Sequence, residues 1–188
     1  IGEQIIFRLW RKSIKISMRE RKMFSIFTAL YTILIFSTSF SIHLLSTNDE
    51  GTFGRFALYF LGISFGFSLF LSVLYALLIV ARNRRTWAIL KCIGWTNKNI
   101  NSLITGIVLY TTLIGFIVVV EILLHYAAIM IYLQSAGVSV GFEPILIQLL
   151  PVVLSFFVFL FVQLFAILLA NRKVLKVRPM LALKKPGE

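Results

Sequence analysis

Four long runs of apolar residues, separated by short polar segments, dominate the hydropathy pattern of this chain. The runs cover residues 24–45, 56–81, 102–126 and 145–170. A helix needs about 20 consecutive apolar residues to cross the hydrocarbon core of a bilayer, and each run reaches that length. The pattern therefore predicts an all-α, polytopic membrane protein, with four transmembrane helices in one transmembrane domain over residues 1–188.

The segment before the first run has the spacing of an amphipathic helix. Basic residues recur there in steps of three and four, with apolar residues such as Ile5 and Trp10 between them. A helix with one cationic and one apolar face is typical of the membrane interface. We therefore predict an interfacial helix over residues 1–23. The alternative is a basic flank that only orients the first span.

A polar segment, RRTWAILKCIGWTNKNI, separates the second and third runs at residues 84–100. Helical spacing places Ile89, Leu90 and Ile93 on one face of a short helix over residues 83–94. A connector that only joins two spans needs a few polar residues. The longer amphipathic segment therefore predicts a contact surface for a cytoplasmic partner.

Turn chemistry follows this short helix. Gly94 can adopt the left-handed conformation that often ends a helix, and Thr96 can cap the start of the next one. Cys92 is the only cysteine, and we expect it to be a small buried apolar residue. The pattern predicts two helices joined by a tight turn.

The distribution of charge predicts the orientation of the chain. The net charge is +12, and 18 of the 19 Lys and Arg residues lie before the first span, between the second and third spans, or after the last. Basic residues concentrate on the cytoplasmic side of membrane proteins. We therefore predict a multi-pass protein of the cell membrane with both termini in the cytoplasm, including a tail over residues 171–188. The positive charge then indicates contact with membrane lipids and not with nucleic acid.

Three features inside the spans predict packing or irregularity. Gly62 and Gly66 form a small-xxx-small pair that lets another helix approach closely, either within the chain or in a second subunit. The third apolar stretch is longer than the bilayer is thick, so its outer end should project or bend. Glu143-Pro144 indicates the start of the last span, and Pro151 predicts a kink in it.

Glu121 and His125 are two ionisable residues within the third predicted span. They are four residues apart and so share a helix face, near the predicted outer boundary. We interpret them as an interfacial polar pair; the alternatives are a proton relay, a metal site or an intramembrane enzyme. Two ligands do not define a metal site, and we predict no metal, catalytic or cofactor-binding residues.

The composition excludes an ordinary soluble domain, because 59% of the residues are hydrophobic and the mean hydropathy is +0.93. Residues 1–188 also contain no phosphate-binding loop of the form G-x-x-x-x-G-K-[ST]. We therefore predict that this chain is not an enzyme and does not itself hydrolyse ATP.

The middle and closing segments resemble the FtsX-like ABC transporter permeases, the family that includes MacB and the LolC/LolE-type proteins. Arg84-Arg85 and the run from Ile89 to Thr96 are similar to the family's "RRREIGILKALGAS" signature. The closing segment matches the pattern L-x-x-x-P-x-x-A-L at Leu175, Pro179, Ala182 and Leu183. Thr86 departs from the usual Glu, Arg178 from a frequent Asp, and the large external domain of many members is missing between the first two spans.

The resemblance implies a permease subunit that couples ATP hydrolysis by a partner ATPase to movement of its membrane helices. ATP and Mg²⁺ would be bound by that ABC ATPase subunit, and a second permease subunit or half would complete a homo- or heterodimer. The substrate would be a lipid, lipoprotein, peptide or drug-like molecule for export or extraction. The implied ATPase contact is formed by Arg84, Arg85, Ile89, Leu90, Lys91, Ile93 and Gly94.

Two other interpretations remain open on the sequence. The chain can be a non-transport four-helix scaffold or a lipid-binding subunit, whose basic surface serves only lipid contact. It can also be a piece of a larger permease, since it begins with Ile1.

Overall fold

The computed structural model describes residues 13–14, 21–47, 52–137 and 145–174. Over these ranges the chain forms five longer α-helices and no β-strand. The helices are α1 (Arg21–Thr47), α2 (Thr52–Arg82), α3 (Arg84–Cys92), α4 (Asn97–Ser135) and α5 (Leu149–Val174). Helices α1, α2, α4 and α5 are long and apolar enough to cross a membrane. The predicted all-helical class with four such segments is therefore confirmed.

The long helices follow from the chemistry of the bilayer. Without water, each backbone N–H and C=O must be satisfied inside the chain, and a continuous helix does this for an apolar segment. Helix α4 has 39 residues, which corresponds to about 58 Å at 1.5 Å per residue. Since the hydrocarbon core is about 30 Å thick, the third apolar stretch continues as helix beyond a membrane-spanning length.

The last long helix begins later than the sequence predicts. Helix α5 starts at Leu149, whereas the prediction placed its first residue at 145, and Glu143-Pro144 lies outside the described residues. Pro151 is therefore in the first helical turn, where the backbone N–H groups have no helical partner in any case. A proline costs no hydrogen bond at that position, so the usual cause of the predicted kink at Pro151 is absent.

The chain divides into two compact units, and each of the four long helices contributes residues to both. Unit 1 comprises Ile1–Phe27, Leu69–Thr111 and Phe161–Glu188, and unit 2 comprises Thr28–Ser68 and Thr112–Leu160. Helix α3 belongs entirely to unit 1. The predicted interfacial helix over residues 1–23 and the tail over 171–188 lie mostly outside the described residues.

Tyr75 on α2 links three helices in the core of unit 1. Its ring stacks on Phe27 of α1, with the ring centroids 4.1 Å apart, and its hydroxyl lies 3.0 Å from Thr111 Oγ1 of α4. Thr111 directs its own hydroxyl hydrogen to the carbonyl of Ile107, at 2.9 Å. The Tyr75 hydroxyl is therefore the donor to Thr111, and the polar group of this buried tyrosine is satisfied.

Hydroxyl groups connect the helices of unit 2. Ser39 of α1 and Ser155 of α5 are fully buried, and their Oγ atoms are 2.7 Å apart. Ser37 of α1 and Ser64 of α2 are joined by a longer contact of 3.4 Å. Hydrogen bonds between small polar residues are a common way for membrane helices to associate.

Helices α1 and α4 are in close contact at Gly115 in unit 2. A Cβ atom at this glycine would lie 3.4 Å from Thr32 N and from Tyr31 Cβ. The Thr32 hydroxyl, bonded to the carbonyl of Thr28 at 2.9 Å, is also 3.4 Å from the carbonyl of Gly115. The absence of a side chain at Gly115 permits this contact.

Candidate functional site

Helix α3 begins with almost no interruption after α2. The Asn83 backbone N–H donates to the carbonyl of Ile79 at 3.1 Å, and the Trp87 N–H donates to the carbonyl of Asn83 at 3.0 Å. These are the i to i−4 bonds of an α-helix on both sides of Asn83. The two helices are thus joined by a hydrogen-bonded junction and not by a free loop.

Helix α3 ends in a Schellman motif. The Trp95 N–H donates to the carbonyl of Leu90 at 3.0 Å, and the Gly94 N–H donates to the carbonyl of Lys91 at 3.1 Å. Gly94 has φ +93°, a conformation that side-chain-bearing residues rarely adopt. The predicted left-handed stop at Gly94 is confirmed, and these two bonds satisfy carbonyls that would otherwise lack helical partners.

Thr96 caps the start of α4, as the sequence predicts. The Asn99 backbone N–H lies 3.4 Å from Thr96 Oγ1, and the Ile100 N–H donates to the Thr96 carbonyl at 3.2 Å. This arrangement satisfies donors in the first turn of α4. We name the segment from Asn83 to Asn99 the α3–α4 hairpin; both of its helix ends are fixed by specific hydrogen bonds.

The buried face of α3 consists of Trp87 and Ala88, which are 2% and 0% exposed. The sequence pattern does not predict a role for these residues, although a tryptophan within a basic segment is a usable signal of burial. Burial of the large Trp87 side chain fixes α3 to unit 1 by removing much apolar surface from solvent. A buried anchor explains how a nine-residue helix, which would be marginal alone, keeps one orientation.

The opposite face of α3 is apolar and exposed. Ile89 is 46% and Ile93 70% exposed, while Leu90 and Lys91 are half-buried. The predicted shared face of Ile89 and Ile93 is therefore present at the surface, and Leu90 belongs to it only in part. The backbone of Arg84 and Arg85 begins α3, but their side chains lie outside the described part of the structure.

Cys92 is a free thiol at the surface of the α3–α4 hairpin. The expectation that it would be buried is wrong, because Trp87 and Ala88 take the buried face of this helix. Cys92 lies beside Ile93, so a thiol-specific reagent can be attached close to the exposed face.

Gly62 and Gly66 do not serve as a packing surface within unit 2. Both are exposed, and a Cβ atom at either would meet nothing within 4 Å. The small residues of α2 that are buried include Ser64, Ser68 and Ser72, each 5% exposed or less. They start two residues after Gly62, which is about 200° around the helix, so the two glycines lie on a different face of α2 that is open in the single chain.

Glu121 and His125 meet as their spacing predicts. His125 Nδ1 is 3.5 Å from Glu121 Oε1 and 2.9 Å from the Glu121 backbone carbonyl. The two side chains are 70% and 64% exposed, so the pair lies on an open face of α4. Among the described residues there is no group of three or more His, Cys, Asp or Glu that could hold a metal ion.

An apolar cavity of about 210 Å³ lies in unit 2, between α4 and the start of α5. Nine residues line it: Val120, Leu123, Leu124, Ala127, Ile145, Leu146, Ile147, Leu149 and Val152. The sequence does not reveal this cavity, because its apolar run predicts that residues 145–148 belong to the last helix. They instead form a non-helical segment that supplies one wall.

Comparison with known proteins adds no identification. No protein-family model, no curated protein and no solved structure matches this chain. The resemblance to FtsX-like permeases thus remains a prediction based on the sequence motifs.

Proposed function

We propose that this chain is the membrane subunit of an ABC transporter of the FtsX-like kind, moved by a separate ATPase that binds the α3–α4 hairpin. The ATPase would bind ATP and Mg²⁺, and the chain itself would carry out no hydrolysis. The substrate class stays that of the sequence prediction: a lipid, lipoprotein, peptide or drug-like molecule. Both termini would lie in the cytoplasm, on the side of the ATPase.

The observation that carries this proposal is the exposed Ile89–Ile93 pair on a helix whose other face is anchored. Neighbouring apolar side chains that are exposed together mark interaction sites more often than exposed apolar residues scattered singly over a surface do. The pair fits the helix-in-groove mode of recognition, in which one apolar face enters a hydrophobic groove of the partner. The partner's groove would cover surface that is exposed in the chain alone.

The construction of the hairpin supports transmission of force. Helix α3 is hydrogen-bonded through Asn83 to α2, and through the Gly94 turn to α4. Burial of Trp87 prevents α3 from rotating independently of unit 1. A push on Ile89 and Ile93 would therefore move the ends of α2 and α4 and not only a flexible connector.

A single substitution and a charge-matched control test the contact. The tagged full chain is purified from its native membranes, and ATP hydrolysis by the eluted complex is measured. Ile93→Asp should remove the ATPase, since an exposed residue becomes charged where the groove is apolar. Thr47→Asp adds the same charge at an exposed residue at the end of α1, outside the hairpin, and should leave the complex intact.

Crosslinking through Cys92 localises the contact. A heterobifunctional reagent, attached to Cys92 through its maleimide and carrying a photoreactive diazirine at its other end, should join Cys92 to the ATPase subunit in the wild type and not in the Ile93→Asp variant. If the wild-type complex hydrolyses ATP but no crosslink forms at Cys92, the hairpin is not the contact. If no ATPase co-purifies at all, the proposed function is wrong.

A lipid-binding subunit without transport is the second candidate function. The apolar cavity in unit 2 favours it, because such a site needs no ATPase to be occupied. Co-purification of a nucleotide-sensitive ATPase separates the two candidates.

A further inference from the structure

The cavity between α4 and α5 reaches from the interior of unit 2 to its surface. Its floor is formed by Val152 and Ile147, which are 0% and 5% exposed, and its rim includes Leu124 and Leu149, which are 61% and 69% exposed. A ligand could therefore enter from the side of the helices. Both helices are apolar enough to cross a membrane, so in a bilayer the molecules beside this rim are lipids.

The lining determines which chemistry the cavity accepts. All nine lining residues are Val, Leu, Ala or Ile, and none has a side chain that can donate or accept a hydrogen bond. A buried water needs two to four polar partners, whereas an apolar cavity of about 150 Å³ stays dry and binds benzene. At about 210 Å³ this cavity exceeds that size, and its lining excludes a charged or strongly polar ligand.

An empty apolar cavity is also unfavourable in itself, because the atoms that line it lack dispersion contacts on one side. A flexible chain of methylene groups can enter through the rim and restore those contacts. We propose that this cavity is a binding site for the hydrocarbon tail of a membrane lipid. Nothing in this assignment depends on an ATPase or on transport.

Photolabelling tests the site on the full chain alone, in vesicles of phosphatidylcholine. A small fraction of the lipid carries a diazirine in the middle of one acyl chain, and labelled residues are mapped by mass spectrometry after illumination. Label is expected in the buried lining residues Ile147 and Val152. A phosphatidylcholine with the diazirine on its head group should not label Ile147 and Val152.

Two adjacent alanines on α4 provide a matched pair of variants. Ala127 lines the cavity, whereas Ala128 is exposed on the helix surface. Ala127→Phe fills the cavity and should abolish tail labelling there, while Ala128→Phe adds the same side chain outside and should preserve it. Equal labelling of the two variants would overturn the proposal.

A third variant covers the case in which Ala127→Phe does not fold. Leu123→Ala enlarges the cavity, so tail labelling should be at least as strong as in the wild type; a loss of label in the folded variant would contradict a tail site.

The amount of protein per lipid is also varied. Labelling that disappears as protein density rises would show that a second copy of the chain fills the cavity and would overturn the lipid assignment.

Discussion

At the residue scale, Gly115 controls how closely two of the long helices can pack. It is buried, and its missing side chain allows α4 to lie against Tyr31 and Thr32 of α1. Gly62 and Gly66 look more important in the sequence because their spacing matches a known motif, but both face open space. Whether the missing side chain of a glycine matters for helix packing here depends on which atoms lie opposite it.

We predict that Gly115→Leu lowers the free energy of unfolding by about 1–3 kcal/mol, the usual cost of inserting extra methylenes into a packed core. Gly115→Ala should be tolerated, because a Cβ there makes contacts of 3.4 Å that the neighbours can accommodate. The measurement is unfolding of the purified protein in mixed detergent micelles. Ala128→Leu, at an exposed position of the same helix, is the control; equal stability of Gly115→Leu and this control would contradict the packing role.

At the scale of elements, the α3–α4 hairpin is specified locally. A polar segment, a left-handed glycine and a threonine cap occur in the order that ends one helix and begins another, and the structure contains each of these contacts. The side of α3 that faces unit 1 was not predicted. Nine residues are too few for helical periodicity to separate Trp87 and Ala88 from Ile89 and Leu90 as the buried set.

The conformation of Gly94 gives a prediction for this element. Gly94→Ala should destabilise the protein by about 1 kcal/mol or more, because a Cβ atom is strained at φ +93° although there is space around it. Gly66→Ala places the same methyl group at an exposed helical glycine and should not destabilise the fold. Unfolding in detergent measures both; if the two variants lose the same stability, backbone strain at Gly94 is not the cause.

At the scale of the whole molecule, the orientation in the membrane rests on the distribution of 19 basic residues. Cys92 is the only cysteine in the sequence and is exposed, so its thiol reports the side of the membrane. We predict that a membrane-impermeant maleimide does not label Cys92 in intact cells and labels it after lysis. In a Cys92→Ser background, Thr47→Cys at the exposed end of α1 should show labelling in intact cells. The reverse pattern would invert the predicted topology.

The open Gly62–Gly66 surface gives a second prediction at this scale. If a second subunit packs there, Gly62→Leu combined with Gly66→Leu should abolish dimer formation, because the branched side chains prevent close approach of two helices. The unfolding stability of the single chain should be unchanged, since both positions are open. Photobleaching steps of fluorescently labelled protein in dilute vesicles count the subunits. Two-step bleaching that persists in the double variant would exclude this surface as the interface.

The sequence by itself determined the class of fold, because the length and apolar character of a segment are sufficient to specify a membrane-crossing helix. It also determined the Gly94 turn and the Thr96 cap, since these contacts lie within a few residues of each other. The tertiary structure decided which surfaces are free and which are buried: the exposure of Cys92, the anchor at Trp87 and the contact at Gly115. These properties depend on residues far away in the chain, and in a bilayer both faces of a helix are apolar, so hydropathy does not distinguish the packed face from the lipid-facing one. The cavity between α4 and α5 arises for the same reason, from a helix that begins at Leu149 and leaves residues 145–148 to form a wall.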